Sequence, residues 1–253
     1  MIKYIFYMNK IHLIIYGDHR YHKTKIRLEN EAKITNWFDT ITLYDYNDLD
    51  NDFKNKYNNI LKENRSGGFC IWKPYFLKKK INEIDNDDIL VYLDAGCKIN
   101  NKAFNRFNEY IQILNNKSII CFELNNEPNS PDALLEKTWT TKEIFHYFDC
   151  LNDNNICNTN QLVGGILLLK KNQISLNIIN TFYNVIQDNV LLFTNYYNNN
   201  QNSYFIDNRH DQSIFSIIRK KNIKYCEIIK DETYPPNNIN FPFWASRILD
   251  KYL

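Results

Sequence analysis

Short apolar runs alternate with amphipathic stretches along the first half of the chain. Runs of β-branched and aliphatic residues predict strands at residues 11–16, 40–44, 88–94 and 118–122. The stretches between them carry apolar residues at helical spacing and predict helices at residues 21–38, 48–64, 75–84 and 102–114. This alternation predicts an α/β fold with a mostly parallel central sheet flanked by helices.

The second half of the chain has a looser pattern. Its polar and Pro-containing segments predict loops at residues 125–131 and 152–160, and a surface loop or lid at 195–203. Strands are predicted at residues 161–169 and 224–229, and helices at 140–148, 174–192 and 211–221. Since no repeat and no linker divides the chain, we expect residues 1–253 to form a single domain.

Composition narrows the class of protein. The 253 residues are 44% hydrophobic, enough for one sizeable core, and the formal net charge of +2 gives no basic field for nucleic acid. The six cysteines show no zinc spacing, so reduced thiols are expected. No apolar run approaches the roughly 18 residues that span a bilayer. We therefore expect a soluble cytoplasmic protein without signal peptide or membrane anchor, in the host cytoplasm if the source is viral.

Asp94 ends the most continuous apolar run of the chain. In an open parallel sheet, ligands bind beyond the carboxyl ends of the strands, so a carboxylate there suits a divalent cation, a sugar or a ribose. Ala95 and Gly96 keep the following turn small enough for backbone to approach a ligand. The alternative is an Asp that caps the next helix or closes a turn.

A second candidate group precedes that strand. A Gly pair at residues 67–68 is followed by Trp72 and Lys73 at the start of a predicted helix. Lys73 offers a cation beside free backbone N–H groups, which suits phosphate or sugar hydroxyls, and Trp72 offers a face for a sugar ring. The alternatives are a core tryptophan and a surface lysine.

The sequence GGFCIWKPYFLKKKI (residues 67–81) followed by DILVYLDAGCKIN (residues 88–100) resembles a group of small glycosyltransferases of the GT-A class. The pattern of that group recurs in order at residues 139–142, 160–165, 210–213 and 242–247. The resemblance extends from about Gly67 to Arg247, and the joint order of the motifs is more specific than any one of them.

The resemblance implies a single GT-A-like, Rossmann-like domain, with a donor-binding half at about residues 1–123 and an acceptor-side half at about 124–253. Asp94 stands where such enzymes carry the first acid of an Asp-x-Asp motif, but Gly96 replaces the second acid. We expect Mn²⁺ or Mg²⁺ held by Asp94 and His210. The alternative is that Lys73 and Arg247 neutralise the diphosphate of the donor.

The remaining motifs imply further donor contacts and a catalytic carboxylate. The donor-binding set consists of Lys73, Trp72, Asp94, Ala95, Gly96, Gln161, Gly164, Gly165, Gln212 and Arg247. Asp211, with Asp94, is the candidate for catalysis, either as a base for the acceptor hydroxyl or as a carboxylate that stabilises an oxocarbenium-like transition state. A role as helix N-cap is the alternative for Asp211.

The expected function is transfer of a hexose or N-acetylhexosamine from a nucleotide sugar, first a UDP-sugar, to a hydroxyl group on a glycan, protein or lipid. Two alternatives stay open: a nucleotidyltransferase-like enzyme, and a non-catalytic sugar- or nucleotide-binding module on the same fold. Dehydrogenases and P-loop enzymes are disfavoured, because the sequence contains neither GxGxxG nor GxxxxGK[ST].

Overall fold

A six-stranded sheet lies at the centre of the computed structural model, which describes residues 9–125, 130, 132–234 and 240–252. Within these residues the strands are β1 (Ile11–Tyr16), β2 (Thr40–Tyr44), β3 (Ile89–Asp94), β4 (Lys98–Ile99), β5 (Ile119–Glu123), β6 (Ile166–Lys170), β7 (Cys226–Lys230) and β8 (Phe243–Trp244). The sheet has the order β2-β1-β3-β6-β5-β7, and β4 pairs with β8 in a separate antiparallel ribbon. The loop predicted at residues 125–131 lies mostly outside the described residues.

Most neighbouring strands of the sheet run parallel, as predicted. β1 is parallel to β2 and β3, and β5 is parallel to β7. The exception is β6, which runs antiparallel to both β3 and β5. The sequence of β6 does not reveal this direction, because a strand buried on both faces is a continuous apolar run whichever way it points.

The helices are α1 (His22–Thr35), α2 (Asn51–Lys56), α3 (Asn58–Leu61), α4 (Ser66–Phe69), α5 (Trp72–Glu83), α6 (Phe104–Ile113), α7 (Glu136–Trp139), α8 (Lys142–Tyr147), α9 (Asn154–Cys157), α10 (Gln173–Asn189) and α11 (Asp211–Lys221). The single helix predicted at residues 48–64 is wrong. Its chain leaves the helical conformation at Tyr57, with φ of −111°, and forms α2 and α3 instead. The buried Tyr57 ring is anchored there by its hydroxyl, which donates to the carbonyl of Ile186 at 3.2 Å.

Apolar clusters cover both faces of the sheet. Residues of α5, α10 and α11 pack on one face together with Leu90 and Tyr92 of β3. Residues of α1 and α6 pack on the other face with Val91 and Leu93. Successive residues of β3 therefore enter opposite clusters, which explains the unbroken apolar run.

Two sequence-based expectations concern the cysteines and membrane-spanning helices. Each of the six cysteines is a free thiol. Among the described residues, no helix combines the length and the apolar character that crossing a bilayer requires.

Candidate functional site

Asp94 lies at the carboxyl end of β3, beside Tyr16 at the carboxyl end of β1. The N–H of Asp94 donates to the carbonyl of Gly165 at 2.8 Å. Because β6 is antiparallel, its beginning rather than its end lies at this edge of the sheet. The Gly164-Gly165 pair, which comes directly before β6, is therefore next to the candidate carboxylate.

Lys73 connects three groups beneath this edge. Its side chain is only 3% exposed, and its Nζ lies 2.5 Å from Asp211 Oδ2, 3.3 Å from Asp94 Oδ1 and 3.1 Å from the Gly164 carbonyl. The ammonium group donates hydrogen bonds to Asp211 and Gly164 and forms an ion pair with Asp94. The Tyr92 hydroxyl also donates to Asp94 Oδ1. Asp94 is thus held through one carboxylate oxygen, by a hydrogen bond from Tyr92 and an ion pair with Lys73.

The ionised groups in this cluster shift one another's pKa values. Burial alone would lower the pKa of Lys73, but the negative charges of Asp211 and Asp94 outweigh it and raise the pKa, so the ammonium stays charged. Burial and the Asp94 charge raise the pKa of Tyr92, so its hydroxyl stays protonated and can donate. Burial raises the pKa of Asp211, and the charge of Lys73 opposes that shift.

A cavity of about 420 Å³ opens above this cluster. The side chain of Asp94 is 48% exposed, whereas that of Asp211 is 9% exposed. The cavity is lined by Tyr16, Gly17, Asp18, Tyr21, Ser66, Cys70, Trp72, Asp94, Ala95, Gly96, Cys97, Val163, Gly165, Gln212, Tyr234, Ala245, Arg247 and Leu249. Seven of the predicted donor-binding residues are in this set.

Close packing around Asp94 leaves no room for a larger residue at Gly165. A Cβ atom at Gly165 would lie 2.5 Å from Asp94 Oδ2. Trp72 contributes to the cavity wall, but one face of its indole is already covered by the Tyr16 ring at a centroid distance of 3.5 Å. The predicted role of Trp72 as a platform is therefore limited to what its remaining surface offers.

A second cavity of about 780 Å³ adjoins the first and shares Tyr16, Gly17 and Asp18 with it. Polar and apolar groups share its wall about equally, and the polar ones include Asn47 and Asp45 after β2. Its other lining residues are His19, Arg20, His22, Lys25, Tyr46, Leu61, Lys62, Glu63, Asn64 and Gly67. The two cavities together run along the carboxyl ends of β3, β1 and β2.

Between the two cavities, α4 and the residue after it form a turn of left-handed backbone rather than a regular α-helix. Residues 66–70 all have positive φ, between 50° and 86°. Gly67 and Gly68 allow this conformation, and a Cβ atom at Gly67 would lie 2.7 Å from Asp18 Oδ2. The Trp72 indole N–H donates to the Ser66 carbonyl at 3.2 Å. The Gly pair therefore sets a fixed, tightly packed turn that leads into α5.

Five predicted site residues lie behind the cavity wall rather than on it: Lys73, Asp211, Gly164, Gln161 and His210. Gln161 is fully buried, where it donates to Glu136 Oε1 at 2.9 Å and accepts from Gln212 Nε2 at 2.7 Å. It thus supports Gln212 instead of facing a ligand.

His210 faces the interior, not Asp94. Its Nδ1 is 2.8 Å from the Phe193 carbonyl, and its ring lies 4.9 Å from the Phe69 ring. Burial lowers the pKa of His210 to about 4, so the imidazole is neutral. The predicted pairing of His210 with Asp94 around a metal is not found in these contacts.

The described residues do not fit a Mn²⁺ or Mg²⁺ site. These cations take several oxygen ligands, and the described residues contain no group of three His, Cys, Asp or Glu that could hold a metal. One oxygen of Asp94 is engaged by Tyr92 and Lys73. Gly96 contributes no side chain, and a Cβ there would lie 3.2 Å from the Ile248 carbonyl oxygen.

Tyr92 belongs to the predicted donor motif but was given no role of its own, and Arg209 was missed in the sequence. Tyr92 stands two residues before Asp94, and period-two alternation along a strand puts both side chains on one face, so that signal was present. Arg209 stacks on Trp139 with its guanidinium 3.8 Å from the ring centroid. No local pattern identifies that contact, because the two residues are 70 positions apart in the chain.

Comparison with solved structures supports the fold class. The chain is similar to a glycosyltransferase involved in the glycosylation of the major capsid of PBCV-1, with a TM-score of 0.51, 8% identity and coverage of 93% of both chains. The fold is GT-A-like. Mouse xyloside xylosyltransferase 1 has a TM-score of 0.44 and 10% identity, covering 87% of this chain and 84% of that one.

A putative glucose-1-phosphate thymidylyltransferase from Bacillus anthracis has a TM-score of 0.41 and 9% identity, covering 88% of this chain and 87% of that one. No protein-family model and no curated protein sequence matches the chain. The conclusion about fold class therefore rests on the sheet topology and the first of these structures.

Proposed function

We propose that this protein is a glycosyltransferase that moves a hexose or N-acetylhexosamine from a nucleoside-diphosphate sugar to a hydroxyl group of a glycan, protein or lipid. The observation that carries the proposal is the half-exposed Asp94 carboxylate, held rigidly at the base of a cavity at the carboxyl edge of the sheet. UDP is the first candidate for the nucleotide.

The two adjoining cavities suit a donor with two parts. Cavities of about 300–1,000 Å³ are typical of small-molecule sites, and both cavities fall in that range. We assign the sugar diphosphate to the first cavity, because it contains Asp94, and the nucleoside to the second. Tyr16, Gly17 and Asp18 line both cavities and would lie where the two parts of the donor meet.

Asp94 is the carboxylate that faces the reacting carbon in this proposal. Its Oδ2 carries none of the side-chain bonds that fix Oδ1, and Gly165 leaves the space beside it open. During transfer, the bond between the anomeric carbon and the phosphate oxygen breaks and a bond to the acceptor oxygen forms. Asp94 takes the proton of the acceptor hydroxyl as that oxygen attacks, and the nucleoside diphosphate leaves with the electron pair of the broken bond.

Asp211 is assigned a positioning role, because its carboxylate is buried and paired with Lys73. It would act by holding Lys73 in place, and Lys73 in turn holds Asp94. Direct catalysis by Asp211 stays a prediction from the sequence. Exchange of each acid for Asn separates the two roles: we expect Asp94→Asn to abolish turnover, and Asp211→Asn to lower it and to lower stability.

The proposal is tested with a panel of UDP- and GDP-sugars, by thermal shift and by release of nucleoside diphosphate. We expect at least one donor to stabilise the protein and to be cleaved, and Asp94→Asn to lose the cleavage. Asp87→Asn is a matched control, since Asp87 is an exposed acid at the opposite end of β3. Absence of both effects with every donor would refute the proposal.

Two other outcomes point to the alternatives. Release of pyrophosphate instead of nucleoside diphosphate would indicate a nucleotidyltransferase. Saturable binding of a nucleotide sugar, with no turnover in the presence of any hydroxyl acceptor, would indicate a binding module.

A further inference from the structure

The diphosphate of the proposed donor needs positive charge, and neither Lys73 nor a metal site supplies it from the described residues. Lys73 is already hydrogen-bonded to the Gly164 carbonyl and paired with Asp211 and Asp94, and its side chain is only 3% exposed. Asp94 itself adds negative charge to the cavity. A diphosphate bound beside this carboxylate therefore requires a cation from another wall.

Arg247 supplies an exposed guanidinium on that wall. It lines the first cavity together with Tyr234, whose hydroxyl accepts from Arg247 Nη2 at 3.1 Å. No carboxylate of the described residues forms an ion pair with Arg247. Its other donors are thus available to phosphate oxygens, which a guanidinium binds in bidentate fashion.

Arg209 adds a second cation behind the first. It is clamped between its stack on Trp139 and a bond from its Nη1 to Gln161 Oε1 at 3.3 Å. Gln161 also accepts from Gln212, which lines the cavity. Burial, together with the positive charge of Arg247, lowers the pKa of Arg209 to about 10. Arg209 is thus held behind the cavity wall, and no described carboxylate forms an ion pair with it.

The chain segment that carries Arg247 also packs against Gly96, the position of the missing second acid. Residues 243–250, the C-terminal strap, pair with β4 and cover Gly96: Ile248 N–H donates to the Gly96 carbonyl at 3.0 Å. A Cβ atom at Gly96 would lie 3.2 Å from Arg247 Cα. A side chain at position 96 would thus require the strap to shift, and the strap brings a cation to the same place.

We infer that Arg247, supported by Arg209, neutralises the diphosphate of the donor in place of a metal ion. This inference rests on the proposed function. It makes donor binding insensitive to chelators and dependent on the C-terminal strap.

Calorimetric titration of UDP, of GDP, and of inorganic pyrophosphate as the minimal probe, tests the inference on protein treated with EDTA and on protein supplied with Mn²⁺. We expect UDP affinities that agree within about twofold under the two conditions. Arg247→Met should weaken binding of UDP and of pyrophosphate by about 10- to 100-fold, because it removes a charge-assisted bidentate contact. Arg247→Lys should lose less, since it keeps the charge.

Lys224→Met is the control for net charge, because Lys224 precedes β7 and so lies at the end of the sheet opposite the carboxyl edge. It should leave UDP affinity unchanged, and circular dichroism should show that all variants are folded. UDP binding that requires Mn²⁺, or that survives Arg247→Met, would overturn the inference while leaving the proposed function intact. Failure of UDP and GDP to bind under either condition would contradict both.

Discussion

Lys73→Met tests whether the buried ammonium holds the site together. The substitution keeps most of the side-chain volume and removes the charge that bridges Asp211 and Asp94. Asp94 is half-exposed and can be solvated by water, but Asp211 would be left as a buried carboxylate without its cation. Removal of one partner of a buried ion pair costs about 3–5 kcal/mol, and we expect a loss of unfolding free energy in that range.

The expected loss depends on pH in a defined direction. Burial already raises the pKa of Asp211, and removal of Lys73 raises it further. A carboxyl group whose folded pKa is raised stabilises the fold below its unfolded pKa, and this contribution is lost as pH rises through the folded value. The penalty of Lys73→Met should therefore be smaller at pH 5 than at pH 7.5.

Urea denaturation followed by circular dichroism measures both quantities, and a double-mutant cycle with Asp211→Asn isolates the pair. The double variant buries neither charge, so we expect it to recover at least about 2 kcal/mol relative to the sum of the single losses. The reasoning is refuted if Lys73→Met costs less than about 1 kcal/mol, or if its cost neither changes with pH nor is relieved by the second substitution.

Three further predictions concern other parts of the site. Because the pKa of His210 is lowered to about 4, the free energy of unfolding should fall as pH drops from about 6.5 towards 4, by about 2 kcal/mol at pH 5. His210→Gln should flatten this pH dependence in urea titrations at pH 5 and 7.5, and an unchanged pH dependence would contradict the prediction. Gly165→Ala should displace Asp94 and lower the rate of donor cleavage by about tenfold or more, while circular dichroism shows that the fold is retained. Cleavage at the wild-type rate would show that the close contact is not critical. Asp250 caps α1, where its carboxylate accepts from the N–H and the hydroxyl of Thr24 at 2.7 and 2.5 Å. Asp250→Ala should therefore lower the free energy of unfolding by about 0.5–2 kcal/mol and, because Asp250 belongs to the strap, weaken UDP binding. A stability loss with unchanged UDP affinity would show that the cap does not influence the site.

The sequence was most informative where a single local cause decides the structure. β1 and β2 have the predicted bounds because apolar runs between polar turns have few other conformations. α11 also has the predicted bounds. Asp94 lies at the carboxyl end of a central strand, as predicted from the buried run that precedes it.

The arrangement of the site depends on contacts that no local pattern encodes. Lys73 is internal because Asp211, 138 positions later in the chain, reaches it from α11. Gly165 lies beside Asp94 because β6 is antiparallel, and a strand buried on both faces carries no signal of its direction. His210 precedes α11 as predicted, but its ring points to the backbone carbonyl of Phe193, 17 positions earlier in the chain.

A crystal structure of the EDTA-treated protein with UDP tests the central claim most directly, because the claim is that the carboxyl edge of the sheet binds a nucleotide sugar donor. We expect the diphosphate in the first cavity against the Arg247 guanidinium and the uridine in the second cavity. The end of the diphosphate that carries the sugar in the donor should be directed towards Asp94 Oδ2. Nucleotide bound at another surface of the protein, or no nucleotide in either cavity at saturating concentration, would contradict the account.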